Sequence, residues 1–475
     1  MKILFVFKSD FLIIPLGIRT LSSVLKKEGH CCEIIDLKLE INYLKKIEKF
    51  KPDIIGYSIE SFLWKFYRDF NKKIKKQFNF FSIFGGPHCT INPDIINEEG
   101  VDAVCIGEGE LALAELANKL QNNQDITGIK NLWVKQNGVI YKNEIRNLVS
   151  ELDSIPFPDY EFATKYKAYK SFDIYHIITS RGCPYNCPYC INHFYRNLFS
   201  GKGKYVRRRS VDNVIEELKI VKNRISPQIL YFVDEIFTLD KEWLDEFAPK
   251  YMEHINLPFQ AFTRVNEIDN DTVQLLRKMG YIISCVGIES GNEKIRNEIL
   301  KRKIDDQLII DKTTLLRENK IKILGSNMLG LPGETLSNAF ETLTLNARCK
   351  ITYPMVFMFH PFPNIDLTKF AIENNFYDGK ADSFDKLSGE CLINLKEKRQ
   401  IERLYYLFYM GVKIPFTIPL IRFMTKLPLG FFYRLIFYFS RAIIIIFIMR
   451  RPSINTLMNY YSRYLVASLL NKLVY

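Results

Sequence analysis

Two strand–helix alternations in series predict an α/β protein: a doubly wound parallel sheet, then a partial (β/α)6 barrel, then a mainly helical carboxyl-terminal region. Short apolar runs recur between amphipathic stretches over residues 1–125 and again from about residue 170. Strands of this kind belong to parallel sheets covered on both faces. After about residue 390 the runs stop and basic, aromatic and aliphatic residues take over. A chain of 475 residues, 47% hydrophobic, holds about three domain-sized units.

In the first unit the expected strands are Lys2–Val6, Cys32–Asp36, Asp53–Ser58, Phe80–Phe84 and Ala103–Ile106, with helices at Leu21–Lys27 and Leu111–Leu120. Ligands of such sheets bind beyond the strands' carboxyl ends. The loops there are Pro15-Leu16-Gly17, Tyr57-Ser58, Gly85-Gly86-Pro87-His88 and Gly107-Glu108-Gly109-Glu110, where glycine lets backbone approach a bulky ligand. Residues 126–165 read as a connector, because Gly128, Gly138 and Pro156-Phe157-Pro158-Asp159 break regular structure. The second unit, residues 166–385, has expected strands at Tyr175–Thr179, Ile229–Val233, Phe259–Thr263, Ile283–Ile288, Ile323–Leu329 and Met355–Phe359. Helices such as Val211–Val221, Asp271–Met279 and Asp305–Glu318 fall between them. Six such units fit an open barrel with its site at the strands' carboxyl end.

Composition narrows the function. The net charge is +13, but residues 396–475 carry 13 Lys/Arg against 2 Asp/Glu, so the rest of the chain is near neutral. That distribution disfavours a nucleic-acid binder. Ten cysteines are too sparse for a disulfide scaffold. Lys8 and Asp10 interrupt the apolar start and no small-residue cleavage site follows, so this run reads as a strand of a cytosolic protein, not a signal peptide.

The most specific signal is Ser180-Arg181-Gly182-Cys183-Pro184-Tyr185-Asn186-Cys187-Pro188-Tyr189-Cys190, directly after the first barrel strand. Three thiolates spaced C-x3-C-x2-C can hold three irons of a 4Fe–4S cluster and leave the fourth open to a ligand. The rival is zinc, with His193 closing a Cys3His site; a strand-end loop at a barrel mouth fits a structural zinc knuckle poorly.

This spacing, with Tyr189 at the aromatic position, resembles the radical S-adenosylmethionine enzymes. The resemblance continues through Phe232-Val233-Asp234-Glu235, Ala261-Phe262-Thr263-Arg264, Gly287-Ile288-Glu289-Ser290-Gly291 and Gly330-Leu331-Pro332-Gly333-Glu334, one motif per strand–helix unit. It implies a 4Fe–4S cluster on Cys183, Cys187 and Cys190. It also implies S-adenosylmethionine held near Tyr189, Arg264, Glu289, Ser290, Gly330 and Glu334, and an electron donor such as flavodoxin or ferredoxin. An ion pair between Glu289 and Arg264 is the structural alternative to ligand contact. Asp234 and Glu235 could bind substrate or cap the next helix.

The first unit resembles the cobalamin-binding domain that precedes the barrel in one branch of these enzymes, which includes anaerobic magnesium-protoporphyrin ester cyclases and methyltransferases. The implied cobalamin contacts are Leu16, Gly17, Ser58, Gly85, Gly86 and Glu108. The branch's D-x-H-x-x-G motif is absent, so no histidine is placed to ligate cobalt. His88 reads as a surface or nucleotide-tail contact and His30 as a partner of helix-end carbonyls.

In the tail, the run from Gly430 to Met449 is long enough to span a bilayer, but Arg434 and Arg441 interrupt it on one helical face. The pattern favours a helix lying in a membrane interface, with a packed cap on the barrel or a spanning helix as alternatives. The expectation is radical methyl transfer to an apolar or lipid-like small molecule, in the cytoplasm or on the inner face of the membrane. Radical cyclisation, a tRNA methylthiotransferase and a non-catalytic cobalamin- or zinc-binding regulator are the other readings.

Overall fold

The computed structural model describes residues 1–9, 14–170, 174–380 and 389–448. Strands β1 (Lys2–Phe7), β2 (Cys31–Asp36), β3 (Ile54–Ser58), β4 (Phe81–Gly85) and β5 (Ala103–Cys105) pair in parallel in the order β2-β1-β3-β4-β5. Alternate residues of β1 face opposite ways: Ile3, Phe5 and Phe7 enter one core and Leu4 and Val6 the other. Both faces are therefore sealed, as the continuous apolar runs require. The strand order reverses between β1 and β3, and that switch point opens a crevice at the carboxyl edge.

Two local expectations are corrected here. Leu16 and Gly17 are not loop but the first turn of the helix Leu16–Lys27, with Pro15 as its N-cap; proline's fixed φ suits a helix entry. Within the expected connector, β6 (Leu132–Gln136) and β7 (Val139–Lys142) form an antiparallel hairpin that extends the sheet to seven strands. Its turn is Asn137-Gly138, both at positive φ, the geometry that two-residue hairpins demand.

The second sheet holds six parallel strands: β8 (Ile174–Ile177), β11 (Ile229–Phe232), β12 (Phe259–Thr263), β13 (Tyr281–Glu289), β14 (Lys322–Leu329) and β15 (Tyr353–Met358), in that spatial order. Between β8 and β11 runs a two-residue ribbon, β9 (Ser180–Arg181) paired antiparallel with β10 (Arg207–Arg208). Outward residues such as Tyr175, Phe232, Ala261 and Val286 pack under the helices. Helices Lys398–Lys413, Ile418–Met424 and Gly430–Ile448 complete the described tail; the expected run's Met449 and the following Arg450-Arg451 lie outside the described residues.

Glu217, fully buried on the helix Val211–Arg224, takes Arg209 Nη1 at 2.5 Å and the Tyr175 hydroxyl at 3.1 Å. Breaking a buried pair costs more than the pair contributes, because the remaining charge stays dry. Arg209→Met is expected to cost about 3–5 kcal/mol, read as a lower urea midpoint for the barrel with the slope unchanged.

Candidate functional site

The three cysteines sit in one loop that two polar anchors hold against the barrel. Asp234, just past β11, accepts bonds at Oδ1 from Thr179 N at 3.0 Å, Thr179 Oγ1 at 2.8 Å and Ser180 Oγ at 2.5 Å. This fixes the chain leaving β8. Gly182 has φ +90°, and a Cβ there would lie 2.5 Å from the Tyr205 carbonyl oxygen, so only glycine lets the loop turn. Cys190 N then donates to Cys187 O at 3.0 Å, and the helix Ile191–Leu198 begins at the next residue. The helix after β11 is capped by Asp240, whose side chain accepts from Trp243 N, so Asp234 and Glu235 are not its caps.

All three thiols are free. Among the described residues no group of three His, Cys, Asp or Glu side chains could hold one metal ion. A zinc site needs such convergence at ~2.3 Å, whereas cluster thiolates bind separate irons. His193 Nε2 pairs with Asp366 at 2.9 Å, which leaves only its Nδ1 for a metal. Burial pushes the Cys190 thiol up to about 12 and raises that of Cys183, so a bound metal's charge must displace their protons. The donor set fits the iron–sulfur cluster.

Beside the loop the alternative Glu289–Arg264 ion pair does not form. Arg264 stacks on Tyr185 at 3.8 Å, reaches Cys187 Sγ at 3.7 Å through Nη1 and donates Nη2 to the Arg302 carbonyl at 2.8 Å. The cation near Glu289 is Arg302, whose Nη1 donates to Tyr189 OH at 2.7 Å and to Glu289 Oε1 at 3.3 Å, and whose Nη2 donates to Gly287 O at 2.7 Å. Arg302 lies in a Lys-Arg-Lys run that reads as solvated surface, so no signal in the sequence marks it. Glu289 sits at φ +68° beside a register shift in β13, a strained conformation typical of functional positions. Burial raises its carboxyl despite Arg302.

Ser290 and the Gly330–Glu334 turn are occupied differently. The buried Ser290 accepts Asn292 N at Oγ, 3.2 Å. Glu334 Oε2 accepts Gly330 N at 2.6 Å and Leu331 N at 3.3 Å, and burial pushes its carboxyl to about 8. A Cβ on Gly330 would meet Cys391 Sγ at 2.8 Å; the missing side chain makes room for Cys391.

A cavity of 410 Å³ opens where the carboxyl edges of the two sheets meet, within the usual range for small-molecule sites. Leu16, Gly17, Ser58, Gly85, Gly86 and Glu108 all lie on its wall, as do Arg181, Asn192, Tyr205 and Glu235 from the second domain. At Gly17 a Cβ would meet nothing within 4 Å, whereas at Gly86 (φ +94°) it would strike Ile59 N at 2.8 Å. This cradle fits a bulky group between the domains. His88 is not on the cavity wall. It is 1% exposed, bonded through Nδ1 to Ser61 Oγ at 2.9 Å and stacked on Trp64, which corrects the surface reading. His30 meets the end of its helix through its backbone N–H, which donates to Leu25 O at 3.0 Å, while its ring faces the Met1 amino group at 3.3 Å.

Glu108 is a clamp between the domains. Its Oε1 receives Arg181 Nη1 at 3.0 Å and Arg207 Nη2 at 2.6 Å, its Oε2 receives Arg207 Nη1 at 3.2 Å, and Glu110 takes Arg181 Nη2 at 2.6 Å. Burial pushes the Glu108 carboxyl up, but Arg207 and Arg181 together hold it below the usual range. Arg207 belongs to an Arg-Arg-Arg run that reads as surface charge, yet its side chain is 4% exposed. Glu108→Gln is expected to weaken this contact by about 3–5 kcal/mol; hydrogen exchange should then rise in residues 180–209 and not in β12 to β14.

The Radical SAM superfamily model matches residues 177–345 and the B12 binding domain model residues 3–117. An uncharacterized methyltransferase of Pyrococcus horikoshii is 32% identical over 373 residues, covering 76% of this chain and 79% of its own. The fold is shared with the radical S-adenosylmethionine methyltransferase TsrM from Kitasatospora setae, solved with cobalamin and a 4Fe-4S cluster bound (TM-score 0.67, 17% identity, 78% of this chain and 75% of that one). It is shared too with the cobalamin-dependent S-adenosylmethionine radical enzyme OxsB, solved with aqua-cobalamin and S-adenosylmethionine bound (TM-score 0.69, 14% identity, 98% and 75%). The chain therefore belongs to the radical S-adenosylmethionine enzymes that carry an amino-terminal B12-binding domain, and its cofactors are a 4Fe-4S cluster, S-adenosylmethionine and cobalamin.

Proposed function

We propose that this cobalamin-dependent methyltransferase-like enzyme delivers a methyl group to a carbon of an uncharged, apolar or lipid-like molecule seated in the barrel lumen. The observation that carries the reading is the charge pattern of the inner strand faces. His176, Tyr231, Phe262, Cys285, Leu324 and Met355 alternate with residues packed under the helices, so they face inward. Burial lowers the His176 imidazole to about 4 and raises the Cys285 thiol to about 12 and the Tyr231 phenol. None of the six bears a formal charge at neutral pH, and Tyr231 stacks on Phe262 at 5.5 Å. Lys322, which shares the face of Leu324, stands at the amino end of β14, 6.0 Å from the Tyr353 ring; a phosphate or carboxylate would find no cation among the six, and burying a lone charge there is costly.

Bound together, the cluster, S-adenosylmethionine and cobalamin supply one-electron S–C bond cleavage, hydrogen abstraction and a transferable methyl group. In this reading Cys183, Cys187 and Cys190 hold the cluster, Tyr189, Glu289 and Arg302 orient the S-adenosylmethionine polar groups, and the cavity beside Leu16, Gly17, Ser58, Gly85 and Gly86 takes cobalamin. Glu108 acts through Arg181 and Arg207 as a positioning residue. Arg264 sets the charge next to Cys187 Sγ. A flavodoxin- or ferredoxin-type protein supplies the electron, and the basic tail keeps the enzyme at the inner membrane surface where apolar substrates reside.

Two outcomes test this. Changing Cys183, Cys187 or Cys190 to Ser should abolish the cluster's visible absorbance after anaerobic reconstitution. The reconstituted enzyme, given reductant, methyl-labelled S-adenosylmethionine and a lipid extract, should move label into the organic phase. Label confined to water-soluble charged products would overturn the apolar-substrate reading; cleavage of S-adenosylmethionine without any methyl transfer would favour cyclisation or another C–H functionalisation.

A further inference from the structure

The last described helix, Gly430–Ile448, is apolar on two faces. One face is buried: Tyr433 and Phe437 pack inward, with the Phe437 ring 4.8 Å from that of Tyr405 on the helix Lys398–Lys413. The other is open: Phe431, Phe432, Leu435 and Phe439 are 76%, 50%, 52% and 70% exposed. Positions 431, 435 and 439 repeat every four residues and so form one stripe. The preceding turn and short helix add Phe416 at 85%, Leu420 at 55% and Phe423 at 59%. Elsewhere among the described residues large exposed hydrophobic side chains are scattered, but here eight, Leu429 included, fall within 24 residues, and apolar clusters of this kind mark a binding surface.

Charge selects the occupant. From Arg403 to Tyr475 there is no Asp or Glu against ten Lys/Arg, and Lys413, Arg422 and Lys426 are exposed around the stripe. A second copy would bring one basic surface against another and be repelled. An anionic bilayer offers acyl chains to the phenylalanines and phosphates to the cations. No helix among the described residues is long and apolar enough to cross a membrane.

We infer that residues 414–439 form a docking surface that lies flat on anionic lipid, with Phe416, Phe423, Phe431 and Phe439 as its anchors. The inference extends the membrane-surface part of the proposed function and gives it a route. The same helix Lys398–Lys413 that supports the stripe also carries Tyr409, which packs against the inward cluster of Ile283, Cys285 and Tyr353. One helix thus separates the lipid-facing surface from the lumen.

Sedimentation of the full chain with sucrose-loaded vesicles tests this without substrate, reductant or S-adenosylmethionine. Vesicles containing phosphatidylglycerol should carry the protein down, pure phosphatidylcholine vesicles should carry much less, and added salt should weaken the binding. The variant Phe431→Ser/Leu435→Ser/Phe439→Ser, which changes only exposed positions, should keep the parent's circular dichroism and melting temperature and lose roughly tenfold or more of its vesicle binding. Equal binding by variant and parent, or no binding by the parent, overturns the inference. So does a parent that dimerises without vesicles and becomes monomeric in the variant, because a second copy would then be the occupant. Because the readout is partition alone, vesicle binding without methyl transfer leaves the docking surface standing, and methyl transfer to an apolar acceptor by a chain that ignores vesicles overturns the docking surface alone.

Discussion

Arg181 and Arg207 stand directly opposite each other in the ribbon β9–β10, and Glu108 of the first domain lies between them. Like charges in that position repel across a strand pair, so a two-residue ribbon would not hold them without the carboxylate. The next residues after Arg181 are Gly182 and Cys183. The loop that presents the thiols is therefore held from outside by the first domain and from inside by Asp234 at the end of β11. Both anchors are needed, because a loop of prolines and cysteines has few backbone bonds of its own.

That constraint divides the molecule electrically. Charged side chains gather where the domains meet and beside the cysteine loop: Glu108, Glu110, Arg181 and Arg207 at the cavity, Glu289, Arg302 and Arg264 next to Tyr189 and Cys187. Deeper in the barrel His176, Tyr231, Phe262, Cys285, Leu324 and Met355 carry no formal charge. The first region suits polar cofactors, and the second is where the proposed function seats its apolar acceptor. The same separation recurs on the outside, where the tail exposes phenylalanines among cations and no anions.

The sheets were legible because both faces of a parallel strand are dry, which leaves unbroken apolar runs such as Ile3–Phe7. The cysteine loop was legible because metal chemistry restricts both residue type and spacing. The Asn137-Gly138 turn is a readable hairpin signal, but Gly138 alone reads equally as a breaker of regular structure. Other features depend on distant partners that one sequence does not display. Arg302 and Arg207 sit in basic runs that look solvated, and only the fold shows them next to Tyr189 and Glu108. His88 follows a Gly-Gly-Pro turn that looks exposed, yet Trp64 and Ser61 enclose it. Gly330 fits a cofactor-facing turn by pattern, but Cys391 fills its space.

The account stands on three thiolates holding an iron–sulfur cluster with one iron left for a ligand. Electron paramagnetic resonance of the anaerobically reconstituted, reduced protein, combined with iron and sulfide analysis, tests it most directly. The account predicts about four irons and four sulfides per chain and a cluster signal that changes when S-adenosylmethionine is added. A single tetrahedral divalent metal in place of the cluster, or a signal indifferent to S-adenosylmethionine, would contradict it.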